Sequence, residues 1–391
     1  MRFAFTAGRP DPSSVPVEGF IAAASRILPQ LRDQMILYPR ERGYLPLRQI
    51  AARRFADREG VSLPVDNVAI TCGSSQALAL IGYRFIRPGT RVITEELTYM
   101  GTLRTFRGMG AQIVGVPLDE RDGLDMVSLE ATLKELADQG HKPAFIYTIA
   151  TNQNPTGAIL SMPRRQRLIE LAQKHEILIV EDDCYGDLIV DEVKVPPALW
   201  TMDDSHSVIY VGTFSKILGP GMRLGYLCAP DRYFDDLVAN RYDGGTSTLA
   251  ACLVAEYLKD NLWPHIAQCN RLLQEKRDAI LVALERFMGD IATWTRPRGG
   301  LFVYIKLPEN TDMARLRARA TRLELDYTEG QTFDTRGREL KAIRLSYAHV
   351  PVSDIHEGVR LLAGCVRAAQ DQAVPHRSQG DLTNSEGSFT I

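Results

Sequence analysis

Lys216 is the side chain in this sequence best placed to form a covalent bond. It follows Val208-Ile209-Tyr210-Val211, a run of β-branched and aromatic residues that reads as a buried strand, and it sits in a loop framed by Gly212, Gly219, Gly221 and Gly225. In open α/β sheets ligands bind past the C-terminal ends of strands, and an amine held there among apolar neighbours is disfavoured as the ammonium. Such an amine attacks a carbonyl to give a Schiff base. A lone lysine after a strand is more often a solvated surface group. Here, however, Thr213, Ser215 and Arg223 share the loop and offer hydroxyls and a guanidinium to an anion. A phosphate-bearing aldehyde would satisfy both demands.

Three further strand ends are polar and irregular. Gly73-Ser74-Ser75-Gln76 joins a strand to a helix, which places free backbone N–H groups and two hydroxyls at the positive end of the helix dipole, either as an anion cradle or as a plain N-cap. Glu181-Asp182-Asp183-Cys184-Tyr185 puts carboxylates at the same sheet edge as Lys216, where a buried Asp can hold a pyridinium nitrogen protonated. Acidic strand ends also bind Mg²⁺, but no Walker-type glycine loop or second acidic cluster accompanies this one. Asn152-Gln153-Asn154-Pro155-Thr156-Gly157 is turn chemistry on its own and a third wall of one crevice if the strands are neighbours.

The elements that must position these groups alternate as βαβ units do. Candidate strands fall at 68–71, 91–94, 113–116, 144–148, 177–180, 208–211 and 224–229, enough for a seven-stranded, mainly parallel sheet. Pro230 precedes a change of pattern, with helices expected at 249–261 and 270–288, then strands at 301–307 and 342–346 around a helix at 313–323. The chain therefore reads as α/β: a large domain over 45–240, a smaller α+β domain over 241–373, an N-terminal segment and arm over 1–44, and a mobile tail over 374–391.

A chain of 391 residues, 45% hydrophobic and 24% charged, is long enough for two such domains. Its 46 basic against 48 acidic residues give a net charge of −2, which offers no field for nucleic acid or an anionic membrane. No apolar run reaches the roughly 20 residues of a membrane span, and Met1-Arg2-Phe3-Ala4-Phe5 does not open a signal peptide, so the expected location is the cytoplasm. The six cysteines lack any C-x-x-C spacing, which leaves reduced, mostly buried thiols rather than a metal site or a disulfide framework.

Taken together, Tyr38, Gly73-Ser74-Ser75-Gln76, Tyr99, Asn154-Pro155-Thr156-Gly157, Asp182-x-x-Tyr185, Thr213-x-Ser215-Lys216, Arg223 and Arg344 resemble the class I/II aminotransferases of fold type I. Order and spacing agree from Gly8 to about Arg367. Within that superfamily the chain is most similar to the branch of aminoadipate and kynurenine aminotransferases and the aminotransferase-like domains of MocR regulators. The resemblance implies pyridoxal 5′-phosphate as cofactor, with Lys216 forming the Schiff base and carrying the proton. It implies Asp182 on the pyridine nitrogen, Asn154 and Tyr185 on the ring oxygen, and Tyr99 stacked on the ring. Ser74, Ser75, Thr213 and Arg223 would hold the phosphate, joined by Tyr38 from the second subunit of a homodimer. Arg344 would take the substrate carboxylate.

The sequence departs from that pattern at three points. Arg9 stands in the Gly8-x-Pro10 segment, where relatives carry an apolar residue at the substrate entrance; it either touches the substrate side chain or points into water. Thr213 replaces the commoner Ser, and Ser75 the commoner Gln. The expected reaction moves an amino group between an L-amino acid and a 2-oxo acid by a ping-pong cycle. The same residues also serve elimination, replacement, cyclisation or oxidation. A non-catalytic sensor of amines is a third reading, disfavoured by the absence of a basic region ahead of Gly8.

Overall fold

The computed structural model describes residues 2–192 and 194–370, so the expected mobile tail at 374–391 lies outside the described residues. The apolar runs form β1 (Val68–Thr71), β2 (Arg91–Glu95), β3 (Gln112–Val116), β4 (Phe145–Thr148), β5 (Leu178–Asp183), β6 (Val208–Thr213) and β7 (Gly225–Cys228). They make one sheet in the order β1-β7-β6-β5-β4-β2-β3, in which β7 alone runs antiparallel to its neighbours. Strands β1, β4, β5, β6 and β7 are buried along their whole length, as near-continuous apolar strands covered on both faces must be.

Strand β5 runs three residues beyond its expected end. Asp182 and Asp183 thus lie within the sheet, opposite Val211 and Gly212 of β6. Successive strand residues face opposite sides, so the two carboxylates serve separate environments.

A second sheet is antiparallel throughout: β8 (Thr293–Trp294), β9 (Phe302–Lys306), β10 (Thr328–Glu329) and β11 (Ala342–Ser346), in the order β8-β9-β11-β10. Arg344 sits mid-strand on β11, paired with Tyr304 and Thr328. The N-terminus is stitched beside this sheet. Phe3–Ala4 pairs in parallel with Leu325–Asp326, and Ser346 donates its N–H to Phe5 O (2.7 Å) and its hydroxyl to Ala7 O (2.7 Å). Phe3 and Phe5 are buried there, and Lys276 holds the following residues through an ion pair with Asp11.

One expectation is corrected. In place of two helices at 249–261 and 270–288 there is a single helix of 41 residues, Thr248–Met288, with Pro264 inside it. An interior proline costs about 3 kcal/mol through its missing N–H and its steric clash. Contacts with helices Val17–Ile27, Leu45–Glu59 and Val352–Ala369 along the helix offset that cost.

Candidate active site

Parallel strands deliver their C-terminal ends to one edge, and the antiparallel β7 delivers its beginning there. The edge therefore collects Gly73 to Gln76 after β1, Tyr99 after β2, Asn152 to Gly157 after β4, Asp182 to Tyr185 at the end of β5, Thr213 to Lys216 after β6, and Arg223 before β7. Glycine at 225 permits the approach: a Cβ there would stand 2.6 Å from the Gly73 carbonyl carbon and 2.7 Å from Ser74 N. Gly73 itself takes a positive φ of 73° as it turns from strand into helix Ser74–Phe85.

Lys216 lies in the short helical turn Ser215–Leu218. Its Nζ donates to Gly8 O (3.0 Å) and stands 5.7 Å from the centre of the Tyr185 ring. Burial pushes its pKa below the ordinary 10.5, with Asp182 and Cys184 pulling in the opposite direction. The amine is therefore more easily freed of its proton than a surface lysine.

Asp182 is 3% exposed, and each of its oxygens has a fixed donor. Tyr147 Oη donates to Oδ2 (2.7 Å) and is itself held by Thr102 Oγ1 (3.1 Å); Cys184 Sγ lies 2.8 Å from Oδ1. Burial raises the carboxyl's pKa, and the two donors act against that rise. Neither Tyr147 nor Cys184 is assigned a role by sequence pattern: the tyrosine reads as one more aromatic in a buried strand, and the cysteine as a buried thiol.

Asn154 joins the two sheets. Its Nδ2 donates to Tyr185 Oη (3.4 Å), and its Oδ1 accepts from Arg344 Nη1 (2.9 Å). Arg344 also donates to Thr6 O (2.9 Å) and Thr328 Oγ1 (3.2 Å), and it lies between the rings of Phe302 (4.0 Å) and Phe333 (4.8 Å). Its Nε is buried without a partner, and among the described residues no carboxylate pairs with the guanidinium. Burial lowers its pKa to about 10, so it remains a cation at neutral pH. Tyr99 caps the start of helix Met100–Gly108 with its ring over Gly101, where a Cβ would come within 2.6 Å of it.

At the opposite end of the crevice Arg223, in a left-handed conformation (φ 51°), donates to Cys72 O (2.9 Å), and its guanidinium lies beside Gly73. Ser74 and Ser75 begin the adjoining helix. Thr213 is also gathered here, but its hydroxyl donates to Leu224 O (3.3 Å) and accepts from Ser215 N (3.1 Å), so it also braces its own loop. Tyr38 stands apart, 90% exposed, and the Arg9 side chain is exposed while Gly8 is drawn in by Lys216.

Beneath the lysine loop is a buried charged network that sequence pattern does not disclose. Arg54 donates to Thr213 O (2.7 Å) and pairs with Asp187; Arg58 pairs with Asp183 and with Asp187, and Tyr210 bonds Asp183. Asp187→Ala would leave two guanidiniums short of an anion, and we expect it to cost about 3–5 kcal/mol in a denaturant titration. A cost under about 1 kcal/mol would show that the network is not coupled to stability.

A buried acid, an amine whose pKa burial lowers and a glycine-opened helix start beside Arg223 suit in turn the ring nitrogen, the aldehyde and the phosphate of pyridoxal 5′-phosphate. Among the described residues no cluster of three or more His, Cys, Asp or Glu can hold a metal ion, and no helix is long and apolar enough to cross a membrane. Fold and site define a pyridoxal-phosphate enzyme of fold type I. The profile of the aminotransferase class I and II family matches residues 10–362. Aromatic-amino-acid aminotransferase 1 of Thermococcus litoralis is 35% identical over 92% of this chain and 87% of its own length. The 2-aminoadipate transaminase of Thermus thermophilus is 34% identical, covering 93% and 89%. The solved structure of LysN, an α-aminoadipate aminotransferase from Thermus thermophilus complexed with N-(5′-phosphopyridoxyl)-L-leucine, superposes with a TM-score of 0.87 at 34% identity over 94% of this chain and 92% of that one. The chain belongs to the class I and II aminotransferases: it is an enzyme that transfers amino groups with pyridoxal phosphate.

Proposed function

We propose that this aminotransferase exchanges an amino group between an L-amino acid and a 2-oxo acid in a cleft between a large unit, 45–240, and a smaller one, 241–373. Bound pyridoxal phosphate supplies an electron sink in conjugation with the substrate Cα. Asp182 would hold the ring nitrogen protonated, Asn154 and Tyr185 would bond the ring oxygen, and Tyr99 would cover one face. Ser74, Ser75, Thr213 and Arg223 would anchor the phosphate. Lys216 would carry the proton at its Nζ to and from the substrate, as a lysine with a lowered pKa is suited to do.

The observation that carries this reading is the bridge made by Asn154. One side chain touches both Tyr185 and the guanidinium of Arg344, so a cofactor ring held by the tyrosine and a carboxylate held by the arginine would lie on either side of the reacting carbon. A buried cation without an anion is costly, and a substrate carboxylate supplies the missing charge. Arg344→Lys keeps the charge but loses the planar fork. We expect a loss of about 2 kcal/mol or more in kcat/KM, and an unaltered kcat/KM would reject the assignment.

The proposed working unit is a cytoplasmic homodimer. Tyr38 follows Ile36 and Leu37, 83% and 66% exposed, and Tyr242 is 88% exposed, a set of bare apolar side chains suited to a partner subunit whose phosphate Tyr38 would reach. Gly8 and Arg9 line the substrate's path. Aromatic amino acids and 2-aminoadipate, for which the relatives are named, are the first donors to test. Mixing each with the holoenzyme should convert the bound cofactor to its pyridoxamine form, and conversion by none of a full amino-acid panel would overturn transamination.

A further inference from the structure

Cys184 takes no part in the chemistry above, yet its sulfur lies against both ends of the cofactor site. Sγ is 2.8 Å from Asp182 Oδ1 and 3.3 Å from Ser74 Oγ. A thiol has one proton to give, and a carboxylate accepts it more strongly than a hydroxyl does. The S–H therefore donates to Asp182, and the sulfur accepts from the Ser74 hydroxyl. Tyr147 already occupies Oδ2, so the thiol is the second of the two fixed donors that orient this carboxylate.

We propose that Cys184 is a positioning residue whose thiol locks the Asp182 carboxylate toward the cofactor's ring nitrogen and links it, through Ser74, to the phosphate cradle. The inference rests on the reading of Asp182 as the partner of that nitrogen. Burial and the neighbouring Asp182 hold the thiol pKa well above its usual value, so the donor stays protonated at working pH. Asp182 is only 3% exposed, so bulk water does not supply this contact in the wild type. Without the thiol, Oδ1 loses its one fixed donor and the carboxylate is held by Tyr147 alone, which constrains its rotation about Cβ–Cγ less. A misaligned carboxylate holds the ring proton less firmly. The ring's positive charge then falls, and it opposes protonation of the cofactor's visible titrating group less.

Cys184→Ala and Cys184→Ser holoenzymes test this by two readouts other than activity. One is the pH midpoint of the bound cofactor's visible absorption; the other is the rate of cofactor release on dilution. Alanine should raise the midpoint by about half a pH unit or more and speed release several-fold, because both the carboxylate and the Ser74 link are loosened. Serine, which keeps a donor of similar reach, should bring both back close to wild type. Unchanged values in the alanine variant would overturn the proposal. So would a serine variant that moves as far as alanine, since the effect would then belong to packing. Asp182→Asn serves as the reference: if it too leaves the midpoint unmoved, the reading of Asp182 falls and this proposal with it, whereas a shift in Asp182→Asn beside a silent Cys184→Ala rejects Cys184 alone.

Discussion

Replacing Lys216 by alanine is expected to abolish turnover while the protein still folds and still binds pyridoxal phosphate without a covalent bond. The groups proposed to hold the phosphate and ring, Ser74, Arg223 and Asp182, stand on other elements and make their contacts without the lysine. What disappears is the buried amine at that sheet edge, and with it both the nucleophile and the proton carrier. Loss of a positioned base alone costs roughly 10²–10⁴-fold, so removing both roles should reduce kcat by about 10⁴-fold or more. A turnover defect below tenfold, or borohydride label recovered on a peptide without Lys216, would refute the assignment. The lowered pKa adds a signed expectation. Because burial stabilises the neutral amine, capture of the aldehyde by the apoprotein should rise with pH and level off at a lower pH than for an ordinary lysine.

Asp182→Asn is the second large effect. Asparagine preserves the volume between Tyr147 and Cys184 but has no negative charge, so it cannot keep a ring nitrogen protonated. An unprotonated ring is a poor electron sink, and we expect kcat/KM to fall by roughly 10²–10³-fold, the scale of losing one preorganised electrostatic contact. Cofactor content should remain near stoichiometric. Full activity in this variant would mean that the reaction needs no protonated ring.

Much of this was legible from local pattern because most of these groups sit at a strand end, where an apolar run stops and small polar residues begin. Lys216, Asp182, Asn154 and the Gly73 turn are all visible in that way. The seven strands and the α/β class follow from periodicity. What stayed hidden depends on contacts between distant residues. The reversed direction of β7 is not written in Gly225–Cys228, which is apolar in either orientation. Tyr147 and Cys184 meet Asp182 only because β4 and β5 are neighbours and the chain turns just after Asp183. Where the pattern predicts two helices, one runs unbroken through Pro264, because three other helices pack along its length. The Arg54–Asp187 network joins residues 133 positions apart, beyond the reach of any spacing rule.

The seating of the N-terminus carries a consequence for how the molecule is made. Ser346, whose hydroxyl holds Ala7, lies 339 residues further along the chain, and the strand that pairs with Phe3–Ala4 begins at Leu325. At about 5–20 residues per second of synthesis, residues 3–7 wait on the order of tens of seconds for these partners to leave the ribosome. Phe3 and Phe5, fully covered in the finished protein, are bare throughout that interval. The segment whose Gly8 carbonyl meets Lys216 is thus synthesised well ahead of its partners in the smaller sheet and can be seated only after them. Seating of this segment beside Lys216 therefore has to follow formation of the smaller sheet, and until then Phe3 and Phe5 lack their native cover.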